Sequence, residues 1–144
     1  MHPRFSASTF CLGSISSLVL AAPAFANTST YSFKMQHEVV DGQKNGVIHR
    51  MDPGILTLSG TLTAGRLLVH APALPQSILI EVFEVGTFSN RFICSMTVTS
   101  PKGGGSAPFS KTCPSVPASN LFIKAQRGGY NGWSIEVTGT LTAK

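Results

Sequence analysis

Two methionines and two histidines in the first part of the chain are spaced as mirror images around a turn. One pair reads Met-x-His and the other His-x-Met, and both share a midpoint at Gln43. In a hairpin centred there, the Cβ atoms of directly opposed residues would lie about 5 Å apart. The methionine thioether and the histidine imidazole are ligands that suit copper. The sequence therefore predicts a candidate copper site, with ordinary core packing beside Tyr31 and Phe33 as the alternative. The four candidate ligands are Met35, His37, His49 and Met51.

A second candidate site is the glycine-rich stretch between the last two predicted strands. It combines aromatic, amide and cationic side chains that can stack on a sugar ring and hydrogen-bond to it, and loops on rigid β-sandwiches often carry binding sites. Tyr130 is expected to be exposed. Trp133 is in phase with Ile135 and Val137, so a core position is the alternative for this residue. The candidate ligand-binding residues are Lys124, Arg127, Tyr130, Asn131 and Trp133.

The cysteines predict one disulfide. Cys11 falls in a segment expected to be removed, which leaves Cys94 and Cys113, 19 positions apart (113 minus 94). An even cysteine count in an exported chain is typical of a structural bridge, which for a loop of this size stabilises by roughly 3 kcal/mol. A redox pair would be indicated by a C-x-x-C spacing, and the sequence does not have one.

Catalytic and nucleic-acid-binding functions find little support in the sequence. Glu81 and Glu84 are expected on opposite faces of one strand, so they do not form a carboxylate pair, and neither G-x-S-x-G nor H-E-x-x-H occurs. The glycines after Lys102 precede a proline and no predicted helix, which argues against a phosphate cradle. The net charge of +5 comes from scattered residues, whereas nucleic-acid binding is typical of clustered ones.

The first 26 residues have the features of a secretory signal peptide. An apolar region from 10 to 22 is followed by the small-x-small sequence Ala24-Phe25-Ala26. Serines interrupt the apolar region and Pro23 ends it, so we expect no membrane-spanning segment. Cleavage after Ala26 would leave one domain, residues 27–144, in the periplasm or outside the cell.

The remaining chain alternates apolar and polar residues with a period of two, which predicts strands with one buried face. We take the predicted hairpin Ser77–Thr99 as the centre of the fold, with Phe92 and Cys94 inward, and the proline-rich stretch 101–117 as irregular. No helical period is visible. An antiparallel β-sandwich of seven or eight strands, Ig-like or jelly-roll-like, is therefore expected. The other predicted strands are Tyr31–Val39, Val47–Met51, Ile55–Ala64, Arg66–Ala71, Asn120–Gln126 and Trp133–Ala143.

Two of these strands resemble each other. Residues 58–64 and 137–143 match position for position, with Gly60 and Gly139 at equivalent places on the apolar side. A glycine on the buried face of a strand usually marks a bulge or a close approach of another backbone. The two strands are therefore expected to share a packing constraint.

Together these features predict an exported, non-catalytic binding module that acts on a protein partner or a glycan outside the cytoplasm. Two other interpretations remain. A structural subunit of a surface assembly would offer an unpaired sheet edge to a neighbouring strand. A periplasmic copper-binding protein would use the mirrored methionines and histidines, and copper is the only cofactor that the sequence suggests.

Overall fold

Residues 27–144 are described by the computed structural model, and in this range the alternating residues form nine β-strands and no helix. The expected signal peptide, residues 1–26, lies outside the described residues. No helix in 27–144 has the length and apolar character needed to cross a bilayer. The strands are β1 Thr28–Met35, β2 Val39–Asp41, β3 His49–Met51, β4 Gly54–Arg66, β5 Ser77–Glu84, β6 Arg91–Thr99, β7 Gly105–Val116, β8 Ser119–Arg127 and β9 Trp133–Ala143.

The strands form two antiparallel sheets that pack face to face around the apolar core, which confirms the predicted β-sandwich. One sheet has the order β1-β9-β4-β7. The other has the order β2-β8-β5-β6, and the short strand β3 pairs with β8 beside β2. Each sheet buries its inward residues against the other, while the outward residues face solvent.

The two similar strands are neighbours, and their glycines face each other. Gly60 of β4 pairs with Gly139 of β9, and the row continues to Tyr31 on one side and Phe109 on the other. The Tyr31 hydroxyl reaches across Gly139 and donates a hydrogen bond to the Ser59 carbonyl oxygen at 2.8 Å. A Cβ on Gly139 would overlap that oxygen and the Tyr31 ring. The predicted close approach is therefore confirmed.

The predicted disulfide is also confirmed, and it joins the two sheets. Cys94 lies on β6 and Cys113 on β7, with Cα atoms 5.7 Å apart. The hairpin 77–99 forms as β5 and β6, but β6 is an edge strand, so this hairpin does not hold the central position that we expected. A register shift after Val82 turns Phe92 outward, which corrects the predicted inward position of this residue.

Two further expectations about secondary structure are wrong. The stretch 101–117 contains the long strand β7, which among the strands of 27–144 pairs with β4 alone and tolerates Pro108 and Pro114 because it is an edge strand. The stretch Arg66–Ala71 is not a separate strand. Strand β4 continues to Arg66, and residues 67–71 pair with no other strand in the described range and form a loop.

Four of the connections between the sheets meet at one end of the sandwich, which we call the loop end. They adjoin the start of β9 and the ends of β4 and β8. The four connecting segments are residues 36–38, 67–76, 100–104 and 128–132.

Candidate ligand site at the loop end

Arg127 is the last residue of β8, and its guanidinium is buried beneath the loop end. The residue is only 8% exposed. Its Nη1 donates to the Trp133 carbonyl oxygen at 2.8 Å. Its Nη2 donates to Asn131 Oδ1, and more weakly to Gln76 Oε1 at 3.4 Å. The cation therefore links the end of β8 to the two loops that carry these acceptors.

The acceptors of Arg127 are themselves held in place. Asn131 Nδ2 donates to Gln76 Oε1 at 2.8 Å, and Gln76 Nε2 donates to the Leu74 carbonyl oxygen at 2.9 Å. The backbone N–H of Gln76 donates to the Ser100 hydroxyl at 3.0 Å. Three of the four loops are thus connected by one polar network, which fixes the position of the guanidinium.

No carboxylate neutralises Arg127. In residues 27–144 the structure contains one ion pair, between Glu84 and Arg91 at the opposite end. Glu38 approaches the neighbouring Gly129 but is not within ion-pair distance of the guanidinium. Burial lowers the pKa of Arg127, an effect partly opposed by Tyr130. A buried cation with only neutral partners is costly, and an anion beside it would reduce that cost.

An open cleft of about 280 Å³ is lined by Arg127 and by Gln76 and Asn131, the two residues that accept from its Nη2. One wall is formed by residues 75–77 and the other by residues 127–131. The Tyr130 side chain lines the cleft and is 56% exposed, so its ring is accessible to a ligand. The cleft therefore combines a fixed cation, amide groups and an exposed aromatic ring.

The structure brings together three of the five residues predicted for this site. Arg127, Tyr130 and Asn131 line the cleft. Trp133 is buried in the core, where its Nε1 donates to the Pro72 carbonyl oxygen at 2.9 Å, and it contributes only its own carbonyl oxygen to Arg127. Lys124 lies in the middle of β8, opposite residues 41 and 81, and does not line the cleft.

Gln76 is the residue of this network that sequence reasoning missed. It accepts from both Arg127 and Asn131 although it is 51 positions from Arg127. Only the pairing of β5 with β8 brings the two positions together. A glutamine after Pro75 gave no local signal of this role.

The hairpin predicted for the mirrored methionines and histidines does not form. Strand β1 ends at Met35 and pairs with β9, whereas Met51 lies on β3, which pairs with β8 in the other sheet. Strands β2 and β3 are both antiparallel to β8, so they run in the same direction and residues 42–48 form an excursion between them. The prediction of opposed Met-x-His pairs is therefore wrong.

The four proposed metal ligands are consequently dispersed. Met35 lies at the loop end, opposite Ile135, and Met51 lies at the other end, opposite Ser119. Both methionines are fully buried, and His37 is exposed in the connection after β1. Within residues 27–144 no three His, Cys, Asp or Glu side chains are grouped so that they could share a metal ion.

His49 is buried between the sheets. Its Nδ1 and the Ser29 hydroxyl are 2.8 Å apart, and its ring packs edge-on to Tyr31. Its Nε2 is buried without a hydrogen-bond partner. Burial lowers the pKa of His49. A cavity of about 80 Å³ beside it is lined mainly by apolar side chains, among them Phe33 and Ile123. This histidine therefore has the environment of a core residue.

Comparisons with known proteins do not identify a family. No family model matches the chain, and no curated protein matches it. Among solved structures, one of Desmodium yellow mottle tymovirus has a TM-score of 0.26 and 10% identity, covering 86% of this chain and 92% of that chain. An empty-head turnip yellow mosaic virus structure has a TM-score of 0.25 and 14% identity, covering 98% of this chain and 89% of that chain. Similarities at these TM-scores carry no argument about origin or function.

Proposed function

We propose that this protein is an exported, non-catalytic binding module whose ligand is a carboxylate-bearing glycan held in the loop-end cleft. The observation that carries the proposal is the buried guanidinium of Arg127, which has neutral partners only and borders an open cleft. An acidic ligand would supply the missing negative charge.

The hydrogen-bonding capacity of Arg127 supports an anionic ligand. A guanidinium has five N–H donors, and three hydrogen bonds to the protein are made here. Donors therefore remain for a ligand oxygen, and charge-assisted hydrogen bonds from arginine to carboxylates are among the stronger ones in proteins. The polar network fixes the side chain in advance, so little conformational entropy is lost on binding.

The other walls of the cleft support a sugar. The exposed ring of Tyr130 offers an apolar face with a hydroxyl at its tip. The side chains of Asn131 and Ser77 can bond to ring hydroxyls. At about 280 Å³ the cleft is slightly smaller than typical drug-sized pockets of about 300 Å³ or more. It suits one sugar unit of a longer chain.

The disulfide and the signal-like segment support an extracytoplasmic location. Bridges such as Cys94–Cys113 form and persist in oxidising compartments. The residues that line the cleft include no Asp, Glu, His or Cys, so a non-catalytic role is the simplest proposal for it. These two points support the proposal of binding in the periplasm or outside the cell.

Titration with matched oligosaccharides tests this proposal. Oligogalacturonate and its methyl-esterified, uncharged counterpart would be titrated into the purified protein by calorimetry. We expect binding of the acidic oligomer only, and a loss of about tenfold or more in Arg127→Gln, because hydrogen bonds between charged groups contribute about 1.5–3 kcal/mol. Arg127→Lys should retain part of the affinity, and Tyr130→Ala should weaken it.

Lys124→Ala is the matched control, because Lys124 is a cation on the same strand that lies outside the cleft. Its affinity should remain close to wild type. Equal losses in the Lys124 and Arg127 variants would indicate general electrostatic attraction and contradict a specific site. Equal affinity for charged and esterified oligomers would contradict the role of the guanidinium. Circular dichroism would establish that each variant is folded.

A further inference from the structure

The connection between β4 and β5 exposes an unusual amount of apolar surface. We call residues 67–75 the apolar loop. Val69 is 82% exposed, and three leucines of the loop are each about half exposed. Large exposed apolar patches on small domains usually mark an interaction surface. The exposed aliphatic residues of the loop are Leu67, Leu68, Val69 and Leu74.

The protein holds the apolar loop in this outward position. The backbone N–H groups of Leu67 and Leu68 both donate to the Gly132 carbonyl oxygen, at 2.8 and 3.2 Å. The Trp133 indole donates to the Pro72 carbonyl oxygen, and Ala71 is buried against Gly132. The exposed side chains therefore project from an anchored backbone.

Around the apolar loop the exposed positive charges outnumber the negative ones by one. Between Asp52 and Glu81 the sequence has no acidic residue. The loop end exposes three Lys or Arg residues and two Glu residues, a balance of +1 (three minus two), and the buried Arg127 is not counted. Arg66 stacks over the Trp133 ring at 5.3 Å, directly beside the first residue of the loop. The exposed charged residues are Lys34, Arg66, Lys102, Glu38 and Glu136.

We propose that the loop end docks on an anionic lipid bilayer, with the side chains of the apolar loop inserted at the interface. Exposed aliphatic side chains beside cations are the combination that binds such interfaces, through apolar burial and attraction to anionic headgroups. A bilayer also suits the loop because its projecting side chains are aliphatic. The inference goes beyond the proposed function and does not depend on it, because the four aliphatic side chains lie outside the cleft.

Co-sedimentation with vesicles tests the proposal. Phosphatidylglycerol-rich vesicles would be compared with pure phosphatidylcholine vesicles at low and high salt. We expect wild type to bind the anionic vesicles, and to bind less at high salt because screening weakens the electrostatic attraction. The double variant Leu68→Ser/Val69→Ser should lose about tenfold or more in affinity, since it removes two exposed apolar side chains from the interface.

Phe88→Ser is the matched control. Phe88 is fully exposed, but it lies on the β5–β6 hairpin at the opposite end, so its replacement should leave vesicle binding unchanged. The single tryptophan provides a second readout. Because its indole is bonded to the loop backbone at Pro72, its fluorescence should change on docking in wild type and not in the double variant.

Three results would overturn the proposal. They are no vesicle binding by wild type at low salt, unchanged binding by the double variant, and an equal loss in Phe88→Ser. If the first of these results came with capture of a soluble protein through the loop, it would identify a protein as the occupant. Retained glycan binding in the double variant, and retained vesicle binding in Arg127→Gln, would separate this inference from the proposed function.

Discussion

The two flanks of the sandwich are closed in different ways. On one flank, the edge strands β6 and β7 are joined covalently by Cys94–Cys113. On the other, β1 faces the short strands β2 and β3, and the contacts are made by Tyr31, His49 and Ser29. The first flank depends on a cross-link, and the second depends on packing that includes a buried polar ring.

The contrast follows from how the edge strands are built. Strand β6 is continuous from Arg91 to Thr99, whereas the opposite edge of the same sheet is interrupted between β2 and β3. The interruption leaves the 80 Å³ cavity next to His49. We therefore expect substitutions near β1 to lower the free energy of unfolding more than similar substitutions at solvent-facing positions. We also expect the stability of this flank, which lacks a cross-link, to depend on pH.

The largest effect is expected for Gly139→Ala. The new Cβ would overlap the Ser59 carbonyl oxygen and the Tyr31 hydroxyl, so it would displace the ring that holds the β1 flank. Overpacking typically costs 1–3 kcal/mol, and because a backbone atom cannot move aside we expect about 3 kcal/mol or more of lost unfolding free energy. Urea denaturation measures this loss.

Gly65→Ala on β4 is the control for this change. Gly65 has no neighbour within 4 Å of an added Cβ, and its φ is not positive. Its replacement should therefore be neutral, or stabilise by about 0.5 kcal/mol by restricting the unfolded chain. Equal effects of the two substitutions would show that the close approach of β4 and β9 does not hold Tyr31 in place.

Removal of the disulfide is expected to have the next largest effect. Cys94→Ser/Cys113→Ser should lower the unfolding free energy by about 3 kcal/mol, because the bridge restricts the unfolded chain across a separation of 19 residues. Urea denaturation of wild type with and without reductant should give the same difference, and the variant should not respond to reductant. A loss below about 1 kcal/mol would mean that both flanks are held mainly by packing.

The sequence could predict much of the sandwich because its strands keep one apolar face. Alternation identified the β5–β6 hairpin and β9, and the cysteine count identified the bridge. Alternation does not reveal whether a partner strand is available, which is why residues 66–71 were expected to form a strand. A high density of prolines does not reliably indicate irregular structure, because an edge strand such as β7 tolerates prolines that a central strand excludes.

The candidate site was predictable only where it is contiguous in sequence. Arg127, Tyr130 and Asn131 lie within five positions, so their side-chain types could suggest a binding loop. Gln76 enters through strand pairing across the sheet, which no local pattern reports. The mirrored methionines and histidines failed for a related reason, because symmetric spacing around a turn cannot show that the chain passes from one sheet to the other.

The smallest effect concerns pH and tests the β1 flank directly. Burial lowers the pKa of His49 in the folded protein below its ordinary value of 6.5. Protonation of His49 is therefore more favourable in the unfolded chain than in the folded protein. The contribution of neutral His49 to the free energy of unfolding is fully present above pH 6.5 and is lost as the pH falls through the lowered pKa.

Urea denaturation from about pH 7.5 to about pH 4.5 should show this loss in wild type and in the control His37→Gln. His49→Gln should show a shallower dependence. Identical pH profiles in all three proteins would contradict the assignment, and would mean that the buried ring closes this flank without making it sensitive to acid.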